Sequence, residues 1–151
     1  MVVLGKSVTN VDFGQLTSHG VLFPFKKLLK HPQNNKTQPL SFTSNVSVNK
    51  KLDSKTMWGN IATSEMLPNS IEQVNLLMKS GYDIVEMEGA GFMQICWFYQ
   101  NECLVIRGVS NNTSEPITID DISMSVNAAL PVLNKILSNH DECKKAHNKP
   151  K

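Results

Sequence analysis

The chain has 151 residues, 40% of them hydrophobic and 19% charged, with a formal net charge of +2. That length can bury one sizeable core, so a single domain over 1–140 is predicted, followed by a disordered tail over 141–151 whose basic run KKAHNKPK lacks interleaved aromatics. So small a charge excess argues against a nucleic-acid partner, and no apolar run reaches the roughly 18 residues of a membrane span.

Residues 2 to 11, VVLGKSVTNV, read as a strand broken at Gly5. Residues 14 to 56 are turn-rich and polar, with HPQNNK and VSVNKKLDSK as exposed loops and LSFTSNV as a short strand. MWGNIAT, 57 to 63, is the next strand. Ser70-x-x-Gln73 has the capping-box pattern, and Ile71, Val74, Leu77 and Met78 follow at helical spacing up to Gly81, which predicts a helix over 70–80. YDIVEM is then a strand, and GAGFMQICWFYQ a helix apolar almost all round and hence buried. CLVIRGV, 103 to 109, reads as a continuous apolar strand. Thr118-x-x-Asp121 caps a long last helix with Ile119, Ile122, Val126, Leu130, Leu133 and Leu137 on one face; Pro131 should kink it near Asn127. From residue 57 strand and helix alternate, which implies crossovers and an α/β fold with a mixed, largely parallel sheet flanked by helices.

Chemistry concentrates where strands end, because ligands of open α/β sheets gather beyond the carboxyl ends. One strand ends in Glu86-Met87-Glu88 and another, taken as its neighbour, in Ser110-Asn111-Asn112. Glu88 has two readings: a plain carboxylate at a helix N-terminus, or a ligand for two neighbouring hydroxyls such as those of a ribose. Glu86 reads as a companion in substrate binding or as the buried ion partner of Arg107. Met87 would offer an adaptable apolar wall to a sugar.

The segment VEMEGAGF, a buried helix and then LVIRGVSNN resemble the nucleoside phosphorylase superfamily, and most of all its nucleosidase branch, typified by the 5′-methylthioadenosine/S-adenosylhomocysteine nucleosidases. GNIATSEMLPNS is similar to the strand and loop bordering the base, ITIDDIS to the start of the final helix, and LGKSVTNVD to a strand crossing the middle of the sheet. The likeness is specific over about 57 to 137, weak over 1 to 56 and absent from the tail. It implies that Glu88 binds the ribose hydroxyls, that Met87 packs on the sugar, and that Leu67 and Pro68 stand at the base-stacking and base-binding positions. Ile119 falls where an aromatic lines the substrate's 5′ end, often in a neighbouring subunit, and Asn111 where the family has the Asp that protonates the purine. The implied function is a purine nucleoside N-ribosyl hydrolase working without metal or organic cofactor. Self-association as a homodimer is expected on a separate ground, helices apolar nearly all round, with Phe92, Trp97, Phe98 and Tyr99 among their residues. Two departures bear on this: Asn replaces Asp at 111, and the family's first third, with its N-terminal strands, water-activating Glu and Gly-rich loop, has no counterpart. The other reading is therefore an inactive relative that binds nucleosides or pairs with a partner subunit, or a fragment of the full enzyme.

The remaining reactive residues carry bland readings. His19, His31, His140 and His147 read as surface residues without metal-site spacing. Gly89 and Gly91 read as close helix–sheet packing, Trp58 and Trp97 as core or interface, and Ser110 as a serine without a base. Cys96, Cys103 and Cys143 lack CxxC spacing, which argues against a disulfide framework; the first two read as buried thiols in a reducing, cytoplasmic setting.

Overall fold

The structure, a computed structural model, describes residues 1–23, 30–31, 36–48, 53–112 and 116–147, with side chains only as far as 138 and not at position 16. Parts of the HPQNNK and VSVNKKLDSK loops, the last four residues, and the side chains of His140 and His147 lie outside what is described.

The long strand β1 (Val2–Asn10) organises a five-stranded mixed sheet. On one side it pairs in parallel with β5 (Thr56–Thr63), which pairs in parallel with β6 (Ile84–Glu86). Its other side carries two short antiparallel partners: β7 (Ile106–Gly108) against Val2–Leu4 and β4 (Ser41–Thr43) against Ser7–Thr9. A separate hairpin joins β2 (Gln15–Thr17) to β3 (Gly20–Leu22). The helices are α1 (Ile71–Lys79), α2 (Gly89–Tyr99) and α3 (Ile119–His147).

The mixed α/β architecture is as expected, but β7 differs from its sequence reading in length and direction. It covers three residues, runs antiparallel to β1, and is not a ladder neighbour of β6. Alternation of strand and helix sets the order along the chain, not which edge a strand joins. The residues before β7 are held by non-ladder bonds: Asn45 Oδ1 accepts from the Cys103 N–H and the Ser44 hydroxyl donates to the Cys103 carbonyl.

Gly5 does not break β1. Gly5 pairs with Gly59 and Ser7 with Asn60, so one extra residue of β1 is accommodated as a bulge between them. A strand turns successive side chains to opposite faces, so Val3 and Val8, five apart, would ordinarily part company. The bulge returns them to one face, where both meet Ile61, Phe42, Val105 and the α2 residues Ala90 and Met93. Val2 and Leu4 face the other way, onto Val132 and Ile136 of α3. Two helices thus cover two faces of one sheet.

Neither helix is buried all round. On α2 only Gly89, Ala90 and Met93 are buried, while Phe92, Ile95, Phe98 and Tyr99 are exposed, which corrects the expectation of a wholly buried helix. A sheet can cover only one stripe of a helix laid on it. Among the described side chains of α3 the buried ones are Val132 and Ile136; the predicted apolar row Ile119, Ile122, Val126, Leu130, Leu133 and Leu137 is exposed. The helix continues past Pro131 to His147.

Both capping patterns act as read. Ser70 accepts from the Gln73 N–H, and the Gln73 side chain accepts from the Asn69 N–H. At α3, Thr118 and Asp121 cap each other's N–H, and the Thr118 hydroxyl and then its N–H hold the Asp121 carboxyl below its usual pKa.

Two side-chain readings are overturned. Cys96 and Cys103 are not thiols but a disulfide, because α2 ends in a left-handed turn at Gln100 that brings their Cα atoms to 6.3 Å. His31 is not a surface residue: it is 2% exposed, donates from Nε2 to the Phe98 carbonyl at 2.5 Å, and packs edge-on against Trp97. The chain end of an apolar helix supplied the cover and the acceptor that a loop histidine could not be expected to find.

Two glycines give opposite expectations. A Cβ on Gly108 would lie 1.9 Å from the Ser125 carbonyl oxygen of α3, so Gly108→Ala should force the helix off the strand and destabilise by at least about 1–3 kcal/mol. A Cβ on Gly91 would meet nothing within 4 Å, which removes its predicted packing role. Gly91→Ala should leave stability unchanged or raise it by up to about 1 kcal/mol in urea denaturation.

Candidate active site

A helix begins with backbone N–H groups that have no partner inside the helix. At α2 these are met by the end of the preceding strands. Glu86, 9% exposed, accepts from the Glu88 N–H at 3.0 Å and from the Gly89 N–H at 2.9 and 2.7 Å. The Thr63 hydroxyl accepts from the Ala90 N–H at 2.9 Å and itself donates to Glu86. Arg107 adds a charged donor, its Nη2 bonding the Glu86 carboxylate. Every lone-pair direction that a buried carboxylate needs filled is therefore used. Gly89 is required here, since a Cβ would stand 2.8 Å from Glu86 Oε1.

That arrangement resolves the two glutamates. Glu86, not Glu88, is the helix-terminal carboxylate; Glu88 occupies the N-cap position but its side chain makes no capping bond. Its carboxylate is 70% exposed and accepts from Arg107 Nη2 at 2.8 Å. Met87 between them is exposed as well. One guanidinium thus ties together a buried carboxylate committed to structure and an exposed carboxylate with acceptor capacity left over. Arg107 does this although β6 and β7 share no ladder, so the expectation of adjacent strands is replaced by a side-chain link.

The other predicted site residues lie on loops and at a helix start. Asn111 follows β7; it accepts from the Ser110 hydroxyl at 3.1 Å and donates to the Asn112 carbonyl at 2.9 Å. Leu67 and Pro68 follow β5 in a loop pinned by Asp12, which accepts from the Ser64 hydroxyl at 2.6 Å and the Glu65 N–H at 2.8 Å. Leu67 is exposed, and Ile119 at the start of α3 is 82% exposed. Asp12 and Thr63 were not singled out from sequence, although each is a polar residue at the end of an apolar strand. Groups of His, Cys, Asp and Glu able to hold a metal ion are absent among the described residues.

Residues 46–139 match the phosphorylase superfamily, and the chain belongs to that family. Solved structures share the fold. One is a 5′-methylthioadenosine/S-adenosylhomocysteine nucleosidase from Neisseria meningitidis in complex with methylthio-immucillin-A. It is 20% identical with a TM-score of 0.64, over 91% of this chain and 61% of that one. A futalosine hydrolase mutant of Helicobacter pylori is 19% identical with a TM-score of 0.62, over 93% and 59%. A 5′-methylthioadenosine/S-adenosylhomocysteine nucleosidase from S. pneumoniae, with a transition-state inhibitor, is 23% identical with a TM-score of 0.57, over 90% and 60%. The chain thus spans about 60% of the length of these structures. No curated protein sequence matches it.

The two glutamates should separate by stability. Glu86→Ala leaves Thr63 and two N–H groups without their acceptor, leaves Arg107 only its exposed partner Glu88, and should cost about 3–5 kcal/mol in urea denaturation. Glu88→Gln touches an exposed pair and should cost less than about 1 kcal/mol.

Proposed function

We propose that the chain is the ribose- and base-binding part of a purine nucleoside N-ribosyl hydrolase, in which Glu88 binds the two ribose hydroxyls and Asn111 faces the base. The observation that carries this reading is the exposed Glu88 carboxylate, spared from capping by Glu86 and steadied by Arg107. Nearby Met87 is open to pack on the sugar. Glu86 acts through position only, holding the helix start and Arg107. Leu67, Pro68 and Ile119 line the base and the 5′ end in this reading. Support comes also from relatives of the same fold solved with methylthio-immucillin-A and with adenine.

The reaction breaks the bond between C1′ and the base nitrogen, whose electron pair leaves with the base; water adds its oxygen to C1′, and the proton that water loses ends on the departed base. Positive charge grows on the ribose as the bond stretches, and Glu88 opposes it through the hydroxyls it holds. Asn111 cannot transfer a proton as an Asp would, but its amide NH₂ can donate to a ring nitrogen and a carbonyl oxygen. That favours 6-oxopurines over 6-aminopurines as leaving groups. A second reading is favoured by Asn111, which cannot transfer a proton: the chain binds nucleosides or a partner subunit without turning substrate over by itself, or is a fragment of the full enzyme.

Incubation with a panel of purine nucleosides, followed by chromatography for free base, tests the proposal. Inosine should be cleaved roughly ten- to two-hundredfold better than adenosine analogues, the range expected when a buried donor faces an amino group. Glu88→Gln should lower kcat more than it raises KM, by tenfold or more overall. Preference for adenosine would overturn the role of Asn111. Inertness towards every nucleoside, with activity regained in Asn111→Asp, would favour the second reading.

We also propose that the chain pairs with a second copy. The exposed residues Ile119, Ile122, Val126 and Leu130 of α3 form an apolar row of the kind that marks an interface. Light scattering at micromolar concentration should report a mass above that of one chain; a clean monomer would refute this.

A further inference from the structure

We propose that the Cys96–Cys103 bond is a reversible, redox-responsive brace between α2 and the segment leading into β7, opened by small thiols entering the cavity beside it. The bond stands in the wall of a cavity of about 210 Å³, lined by Phe42, Met93, Trp97 and Asn101 as well as both cysteines. That is smaller than a drug-sized pocket and suits a small thiol. Cys96 is partly exposed on α2, next to a flank that is already open at Ile95 and Tyr99.

The two sulfurs are held differently. Cys103 is 5% exposed, and its backbone is pinned by Asn45 at 3.0 Å and Ser44 at 3.1 Å. Its Sγ lies 3.7 Å from the Asn101 carbonyl, which a thiol there can use as acceptor. Cys103 therefore stays in place when the bond opens. Cys96 belongs to the C-terminal half of α2, which without the bond keeps only the ties of His31 to the Phe98 carbonyl and of Gln94 to Gln38, while the N-terminal half is anchored through Glu86 and Thr63. Opening the bond loosens one end of the helix and leaves the other seated.

The chemistry is thiol–disulfide exchange. A small thiolate attacks the Cys96 sulfur, forming a mixed disulfide and releasing the Cys103 thiolate, which takes up a proton. A second small thiolate attacks the outer sulfur of the mixed disulfide and releases Cys96, which is protonated in turn. Two small thiols are oxidised to one small disulfide, and the protein bond is reduced to two thiols by the same two electrons. A small disulfide reverses the sequence.

The proposal does not depend on nucleosidase activity, and its readouts use none. The full chain is treated with oxidised glutathione or with dithiothreitol, without denaturant, then unfolded, alkylated with iodoacetamide and weighed by mass spectrometry. The chain has three cysteines, so one alkyl group is expected after oxidation and three after reduction. Tm should fall by about 5–10 °C on reduction and recover on reoxidation. Amide exchange should speed up in the C-terminal half of α2 and stay constant in β5. Cys96→Ser should show the low Tm in both buffers; if it does not fold, the reduced wild type carries the comparison. Three alkyl groups in the oxidised arm, reduction only in denaturant, or one Tm in both states would each overturn the proposal.

Discussion

The rest of the structure depends on a buried carboxylate that has found enough donors. Burying Glu86 without partners would cost several kcal/mol, more than most single contacts contribute. Here the donors come from three directions: the first turn of α2, the hydroxyl at the end of β5, and the guanidinium on β7. The same contacts that make the burial tolerable orient the helix on the sheet and connect two strands that share no ladder. Removing the charge would loosen all three at once.

The proposed role of Glu88 rests on what Glu86 leaves unused. Because it absorbs the helix N–H groups, Glu88 is not drawn down onto the helix end and stays open to solvent with its carboxylate fixed from one side. A group that must bind neighbouring hydroxyls needs spare acceptor capacity and a restrained position together. The division of labour between two glutamates two residues apart meets both needs.

Local chemistry was legible in the sequence and long-range pairing was not. The Ser70 and Thr118 caps depend on residues three apart, and both formed as read. The resemblance carried by VEMEG and VIRGVSNN led to the family to which the chain belongs. The roles of Glu86 and Glu88 could not be divided from pattern alone, since two of the donors that hold Glu86 are distant along the chain, Thr63 by 23 residues and Arg107 by 21. His31 was misread because its acceptor is 67 residues away, at Phe98. Cys96 and Cys103 were misread for a different reason: their spacing of seven belongs to no familiar motif, and only the turn at Gln100 makes it close. The direction of β7 depends on which edge of β1 is open, a property of the assembled sheet.

The bulge in β1 makes the length of that strand part of the code. Upstream of it, odd-numbered positions look towards α2; downstream, even-numbered ones do, as Val3 and Val8 illustrate. A single-residue deletion at Lys6 would restore a regular ladder and leave composition almost untouched. Because β5 carries no matching irregularity, its register need not slip, and every side chain beyond the deletion keeps its present face. A deletion elsewhere in β1 would instead turn each following side chain to the opposite face, so in this strand the position of an indel decides its reach.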